Sequence, residues 1–203
     1  MIATMLNLNR SDCKALNLND LYGLHKAIYS LFPAEPGKSR DFLFVDKGGD
    51  WNRRHILILS EREPIQPEFG EIVSKKVPDS FLQHDYYGFE LALNPTRRDS
   101  NTGKIFPVRG RAQLIDWLVE KAPGHGFEVF SQSLQINHIG VVTYQKNGTI
   151  RTHNTATFVG TLKVIERAAF VESFQRGIGR AKGFGFGLLQ LVPMEAQNNI
   201  SAS

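Results

Sequence analysis

The first half of the chain has one strongly amphipathic segment set between short apolar runs. Its apolar side chains share one helical face at 100° per residue, and they are Leu21, Leu24, Ile28, Leu31 and Phe32. This spacing predicts a helix from about Leu21 to Phe32, which Pro33 ends. Shorter apolar or alternating runs predict strands at residues 1–9, 41–46, 55–60 and 72–77. Between the last two there is only a short, proline-bearing segment, so no full second helix is expected there.

The second half shows a fuller alternation of strand and helix patterns. The apolar pattern predicts helices at Ala112–Lys121 and 166–176, and strands at residues 88–94, 127–145, 149–164 and 184–192. An Asn147-Gly148 pair between two of these strands is a strong hairpin signal. The element order is β-α-β-β-α-β, the ferredoxin-like arrangement. We therefore predict an α+β protein of two tandem ferredoxin-like (RRM-like) domains, residues 1–84 and 85–203, with the second helix of the first domain missing or short.

A glycine-rich segment, the glycine loop (residues 177–187), lies between the last predicted helix and the last predicted strand. Backbone N–H groups in such a loop form a concave site for anions, and Arg180 and Lys182 add positive charge. The helix-to-strand order differs from a dinucleotide-binding fingerprint, and the Gly-Lys-Ser/Thr of a Walker A loop is absent. The segment from Lys182 to Phe186 matches the aromatic-glycine motif of RNA-recognition modules in composition only. A phosphate site is the favoured interpretation, and a ligand-free connector is the alternative.

Composition narrows the possible classes of protein. Hydrophobic content of 41% and charged content of 22% are ordinary for a globular protein. No apolar run approaches the roughly 20 residues that span a bilayer, and the start lacks a signal-peptide pattern, so we expect a cytoplasmic protein without membrane contact. Cys13 is the single cysteine, and no histidine pair has helical metal-ligand spacing. No metal and no cofactor are therefore expected.

The positive charge of the chain is unevenly placed. Residues 85–203 hold 13 Lys and Arg against 9 Asp and Glu, whereas residues 1–84 hold 11 of each. A basic half that also carries a basic glycine loop indicates an anionic polymer as partner. A charge excess that only aids solubility is the alternative.

Five sequence motifs occur in an order that resembles a known family. They are Asp20–Lys26, Leu31–Pro33, Arg40–Phe44, Leu93–Pro95 and the glycine stretch that closes in Gly187-Leu188-Leu189. Together they resemble the CasE family, the CRISPR RNA-processing endoribonucleases of type I-E Cascade, over nearly the full chain. The resemblance implies metal-independent cleavage of CRISPR repeat RNA at a stem-loop by 2′-hydroxyl attack. It also implies that the product stays bound and that other Cascade subunits are partners. We expect the isolated protein to be a monomer.

The resemblance places the catalytic residues His25 and Tyr22 on the helix of the first domain. A histidine can accept or donate a proton near neutral pH, and a residue three positions away shares its helix surface. From the residues alone, a helix-boundary histidine without a role is the favoured interpretation of His25, which the resemblance reverses, and Tyr22 could equally be a packing aromatic. If they are catalytic, Tyr22 orients either the histidine or the phosphate.

The residues predicted to bind RNA lie mainly in the second half. A solvated loop is the alternative for the basic ones, and a stem would be recognised mainly by shape and phosphates. The predicted set is Lys26, Arg97, Arg98, Lys104, Arg109, Arg111, Lys146, Arg151, Gly177, Gly179, Arg180, Lys182 and Gly183. Two other functions stay open: a non-catalytic RNA-binding scaffold of the same fold, and a small-molecule enzyme, which the basic second half disfavours.

Overall fold

A computed structural model describes residues 1–37, 39–50, 52–146 and 148–195, except the side chain of Lys146. The first domain has the strands β1 (Ile2–Asn9), β2 (Phe42–Gly49), β3 (Arg53–Ser60) and β4 (Glu71–Lys76), and the helices α1 (Arg10–Ala15) and α2 (Leu21–Ser30). Its strands form an antiparallel sheet in the order β2-β3-β1-β4. This is the ferredoxin-like order, and the described residues between β3 and β4 form no helix. The predicted trimmed first domain is confirmed.

The second domain repeats the ferredoxin-like order with both helices present. Its strands are β5 (Tyr86–Leu93), β8 (Phe127–Val129), β9 (Gln135–Lys146), β10 (Thr149–Val164) and β11 (Leu189–Met194), and its helices are α3 (Arg111–Lys121) and α4 (Arg167–Arg176). The sheet has the order β11-β5-β10-β8, and β9 pairs with the remaining length of β10. A short hairpin of β6 (Thr96–Arg98) and β7 (Ile105–Pro107) stands apart. None of the helices in the described ranges is long and apolar enough to cross a bilayer.

Strand β2 joins the two domains because it is buried on both faces. Phe42 and Phe44 point to one side and pack in the core of the first domain with α2. Leu43 and Val45 point to the other side, as alternation along a strand requires, and belong to the core of the second domain. The domain boundary at residues 84 and 85 therefore stays a proposal, because the two domains share packed side chains.

The structure corrects three predicted elements of the second half. The strand predicted at residues 127–145 is interrupted, because a turn at residues 130–134 lets Ser133 Oγ accept a hydrogen bond from the Thr161 N–H. The last strand begins at Leu189 and not at residue 184, because Gly185 and Gly187 have φ values of +87° and +86°, outside the strand region. Arg111, predicted to lie in a loop, begins α3.

Other differences concern short elements. Helix α2 ends at Ser30, two residues earlier than predicted, although Leu31 and Phe32 are buried as expected. Helix α1 and the hairpin of β6 and β7 were not predicted. Asn147 of the predicted hairpin turn lies outside the described residues.

Candidate active site

Helix α2 places a set of aromatic and basic side chains against the second domain. The Asp20 carboxylate caps its first turn by accepting from the Gly23 N–H at 2.8 Å. A Cβ at Gly23 would lie 2.3 Å from the Asn17 carbonyl oxygen, so only glycine lets the preceding loop pack this closely. Leu24 and Ile28 are buried in the first core. The neighbouring surface of the helix, which includes Tyr22, His25 and Lys26, is consequently free to face β9 and the glycine loop.

The His25 ring is held by a hydrogen bond from the second domain. Its Nδ1 lies 2.7 Å from the carbonyl oxygen of Gly183. A carbonyl oxygen only accepts, so Nδ1 carries the hydrogen and donates it, and the lone pair of the neutral ring lies on Nε2. The ring also stacks on Phe184 at 5.0 Å and packs against Tyr29 at 4.0 Å between centroids. A half-buried histidine in one fixed tautomer is suited to proton transfer at Nε2.

Tyr22 lies beside His25, as the helical spacing predicted. The two rings are 5.7 Å apart and nearly parallel, with 14° between their planes. Tyr22 also stacks with Tyr144, with 6.4 Å between the ring centroids. The Lys26 ammonium lies 5.2 Å from the centre of the Tyr22 ring, within the range of a cation–π contact. Tyr22 and His25 therefore lie on one surface of α2. The catalytic role of Tyr22 stays a prediction.

A polar chain that no sequence motif indicated supports this aromatic cluster from the second domain. Asn94 Nδ2 donates to His153 Nδ1 at 3.1 Å, so His153 Nε2 carries the hydrogen and donates to the Tyr144 hydroxyl at 3.2 Å. Burial lowers the pKa of His153 and raises the pKa of Tyr144, which keeps both neutral. Tyr144 packs on Phe184 at 4.5 Å. Phe184, the residue that follows Gly183, therefore packs against both His25 and Tyr144.

The glycine loop is folded on itself and pinned to β5. The Ile178 N–H donates to the Gly187 carbonyl, and the Gly187 N–H donates to the Ala92 carbonyl, both at 2.8 Å. A Cβ at Gly177 would lie 2.8 Å from Leu43, and one at Gly187 would lie 2.4 Å from the Ile178 carbonyl oxygen. Packing and positive φ account for these two glycines as parts of a connector. The predicted RNA contact of Gly177 stays a prediction.

Gly179 and Gly183 differ from those two positions. Gly179 has a φ of +78°, and a Cβ there would meet only Leu93 at 3.5 Å, which leaves its outer side open. Gly183 lies in a short 3-10 turn, Lys182–Phe184, and supplies the carbonyl that holds His25. For both, RNA contact remains a prediction.

Lys182 has an internal role that its sequence did not indicate. Its ammonium donates to the carbonyl oxygens of Arg176 at 2.8 Å and Gly177 at 3.3 Å. These carbonyls end α4, where a helix leaves acceptors without partners. Burial lowers the pKa of Lys182, and the charges of Arg40 and Arg176 lower it further. The ammonium predicted to bind RNA thus already caps a helix.

The predicted basic set divides into residues with internal partners and residues without them. Arg97 pairs with Glu120 at 2.9 Å, and Arg111 donates to the Ile136 carbonyl at 3.0 Å. Among the described residues, no hydrogen bond or ion pair holds the exposed side chains of Arg98, Lys104, Arg109, Arg151 and Arg180. The side chain of Lys146 lies outside the described residues.

The structure brings Arg98 and Arg180 together although they lie far apart in the sequence. Both line a cavity of about 280 Å³ with Lys121, His125 and Gly179. Burial lowers the pKa of His125, and the charges of Lys182 and Lys121 lower it further, so the neutral ring is favoured there. Three exposed cations around an open glycine form a site suited to a phosphate. Within the described ranges, no three His, Cys, Asp or Glu side chains are grouped as metal ligands.

The chain is similar in sequence to known proteins. A family model described as CRISPR associated protein matches residues 1–193. The chain is 28% identical over 193 residues to the CRISPR system Cascade subunit CasE of Escherichia coli strain K12, covering 86% of this chain and 93% of that protein. It is 27% identical over 115 residues to the CRISPR-associated endoribonuclease Cse3 of Thermus thermophilus, covering 52% and 54% of the two chains.

Solved structures share the fold. The CRISPR endoribonuclease Cse3 bound to a 19 nt RNA superposes with a TM-score of 0.83 at 20% identity, covering 95% of this chain and 100% of that one. Thermus thermophilus Cse3 with an RNA that represents a pre-cleavage complex gives 0.80 at 20% identity, covering 95% and 98%. Cas6e from Escherichia coli K-12 gives 0.66 at 24% identity, covering 96% and 100%. These likenesses agree with two tandem ferredoxin-like domains.

The helix cap made by Lys182 is testable by its effect on stability. Lys182→Met keeps the aliphatic part of the side chain but leaves the Arg176 and Gly177 carbonyls without their donor. We expect the free energy of unfolding to fall by about 1–2 kcal/mol, measured by urea denaturation. Arg180→Met, which removes an exposed charge without internal partners in the described structure, should change it by less than about 0.5 kcal/mol. Equal effects of the two substitutions would show that the Lys182 cap contributes no stability.

Proposed function

The chain belongs to the CRISPR-associated protein family whose model matches residues 1–193, and from that membership we propose that it is an endoribonuclease that cleaves CRISPR repeat RNA. The observation that carries the proposal is the hydrogen bond from His25 Nδ1 to the Gly183 carbonyl. It fixes the tautomer of a histidine that lies on a surface shared with Tyr22 and Lys26. The names of the relatives support the same activity, because one is a Cascade subunit and another an endoribonuclease.

The proposed reaction uses the nucleophile that RNA itself carries. The 2′-oxygen loses its proton and attacks the adjacent phosphorus, the bond from phosphorus to the 5′-oxygen breaks, and the leaving oxygen takes up a proton. The products are a 2′,3′-cyclic phosphate and a free 5′-hydroxyl. His25 Nε2 accepts the first proton when neutral, or donates the second when protonated. In either role the Gly183 carbonyl stabilises the charged ring, because it accepts from Nδ1–H.

The RNA stem binds across the second domain in this proposal. Arg98 and Arg180 contact backbone phosphates at the cavity they share, and Arg151 on β10 extends the basic surface along the hairpin of β9 and β10. A duplex of A-form RNA is recognised by its shape and phosphates, which suits arginines that have no acceptor within the described protein. We assign Lys26, whose ammonium lies beside the Tyr22 ring, to the RNA backbone next to the active site.

We also propose the place of the protein in its assembly. The protein keeps its cleaved RNA and joins the other Cascade subunits in the cytoplasm, and it is a monomer before it does so. The curated relative named as a Cascade subunit supports this, because the similarity covers 93% of that protein.

Cleavage without a metal ion tests the proposed reaction directly. The purified protein should cut its repeat RNA at one site in excess EDTA, because the attacking and leaving oxygens and His25 suffice for the chemistry described. Mass spectrometry of the 5′ fragment should find a 2′,3′-cyclic phosphate. A strict requirement for a divalent ion, or a 3′-hydroxyl product, would contradict the mechanism.

Replacing the histidine separates cleavage from binding. His25→Ala should reduce the single-turnover cleavage rate by roughly 100-fold or more and leave the affinity for the stem-loop nearly unchanged. His84→Ala is the matched control, because His84 is exposed and lies just before β5. Near-normal cleavage by a folded His25→Ala protein would instead favour the non-catalytic scaffold.

The salt dependence of binding tests the phosphate contacts of the second domain. Arg98→Gln and Arg180→Gln should each weaken binding and flatten the log–log salt slope by roughly 0.7–0.9. Arg10→Gln removes the same charge from an exposed position on α1 and should leave the slope as it is. If the slopes of all three variants match the wild type, the cavity does not bind RNA phosphates.

A further inference from the structure

Arg40 is a cation that has no acceptor within the described protein. It lies just before β2 and is half-buried. Its Nε is shielded from solvent and has no hydrogen-bond partner. The described residues provide no hydrogen bond or ion pair to the rest of its guanidinium group either. A shielded donor without an acceptor is costly, and such a group requires an explanation such as a bound ligand.

The acidic residues nearest to Arg40 in the sequence are bound to a different arginine. Asp41 accepts from Arg62 Nε at 2.6 Å, and Glu35 lies 3.3 Å from Arg62 Nη1. Arg62 also donates to the Pro33 carbonyl at 2.9 Å. Both carboxylates therefore pair with Arg62, and within the described residues no carboxylate forms an ion pair with Arg40.

The unpaired guanidinium lies beside the candidate active site. The position that a Cβ would occupy on Gly183 is 3.0 Å from Arg40 Nη1, 3.0 Å from the Tyr29 hydroxyl and 3.9 Å from His25 Nδ1. The charge of Arg40 also contributes to the lowered pKa of Lys182, after burial. A side chain at position 183 would therefore crowd both the Arg40 guanidinium and the Tyr29 hydroxyl, and glycine avoids this.

We propose that Arg40 binds a backbone phosphate of the RNA at or next to the cleaved linkage. A guanidinium group presents a planar fork of donors that matches two phosphate oxygens. Because the non-bridging oxygens gain negative charge as the 2′-oxygen attacks, a fixed cation at this place stabilises the transition state. The two terminal nitrogens have no acceptor among the described residues, so their N–H groups can bind two phosphate oxygens together. This inference rests on the proposed function.

A structural role is the competing explanation. The Arg40 guanidinium lies 6.0 Å from the centre of the Phe42 ring, the outer limit of a cation–π contact. In that case the side chain would only cover the ring and hold the 3-10 turn in place. Such a role would affect folding or the position of Gly183, and it would not depend on the charge of any particular RNA phosphate.

The test compares Arg40→Gln and Arg40→Lys with Arg53→Gln, an exposed arginine at the start of β3. Single-turnover cleavage of repeat RNA is measured in EDTA for each protein, and melting without RNA controls for folding. We expect Arg40→Gln to cleave roughly 100-fold more slowly, with a melting temperature near that of the wild type. Arg40→Lys, which keeps the charge but loses the fork, should recover part of the rate.

A second measurement identifies the phosphate. A repeat RNA with a 2′-deoxy sugar at the cleavage site cannot be cut, and its phosphates near that site are replaced one at a time by neutral methylphosphonates. Wild-type protein should lose about 10-fold or more in affinity at one of these linkages, and Arg40→Gln should show no further loss there. Arg53→Gln should respond as the wild type does.

The outcomes separate this inference from the proposed function. If the wild type cleaves but Arg40→Gln cleaves like Arg53→Gln, Arg40 is not a phosphate ligand. Slow cleavage by Arg40→Gln with the full methylphosphonate response retained would assign Arg40 the structural role and overturn the inference. Failure of the wild type to cut repeat RNA at all would refute the proposed function, whereas the methylphosphonate comparison would still report on the contact of Arg40.

Discussion

The hydrogen bond from His25 to the carbonyl of Gly183 is the constraint on which the geometry of the candidate active site depends. It links residues 158 positions apart in the sequence and belonging to different domains. The bond has two requirements. First, α2 must place His25 at the domain junction, and second, the glycine loop must place the Gly183 carbonyl within hydrogen-bond distance of it. Gly23 permits the first by letting α2 pack on its preceding loop. Gly185, which caps the 3-10 turn, and Gly187 permit the second, because both adopt positive φ.

Packing of apolar side chains holds the two domains against each other, and the polar contacts then orient the side chains of the site. Leu43 and Val45 of the first domain are buried in the core of the second. Burying side chains of this size stabilises the junction far more than one hydrogen bond does. Rigid placement matters for proton transfer, since a histidine must stay within hydrogen-bond reach of the atom it serves. The polar chain from Asn94 through His153 to Tyr144 adds hydrogen bonds that stiffen the second-domain side of the site.

Local patterns allowed part of this arrangement to be predicted from the sequence. The apolar face of α2 and the proline after it are local signals, and so is the order of strands and helices that defines the fold. The shared surface of Tyr22 and His25 follows from helical spacing alone. The predicted beginning of the last strand was wrong, because the alternating Phe-Gly-Phe-Gly sequence resembles a strand, whereas the positive φ of its glycines depends on the packed loop.

The remaining parts of the site arise from contacts between distant segments. No motif connects Tyr144, His153 and Asn94, whose meeting depends on the pairing of β10 with both β9 and β5. The internal partners of Lys182 and Arg111 could not be predicted from the sequence either. A basic residue in a predicted loop looks the same in the sequence whether its side chain points to solvent or donates to a carbonyl. Charge composition therefore overstated how much of the basic set is available to an external anion.

The long sequence separation between the two halves of the candidate active site also has a consequence for biosynthesis. A ribosome that has made the whole first domain has already produced His25, yet it must add 158 residues after that histidine to reach the carbonyl that fixes its tautomer. The site is therefore assembled only when the glycine loop has been synthesised and packed. A nascent polypeptide that lacks this loop holds the histidine without its orienting partner, so the candidate active site reaches its full geometry only after the second domain has folded.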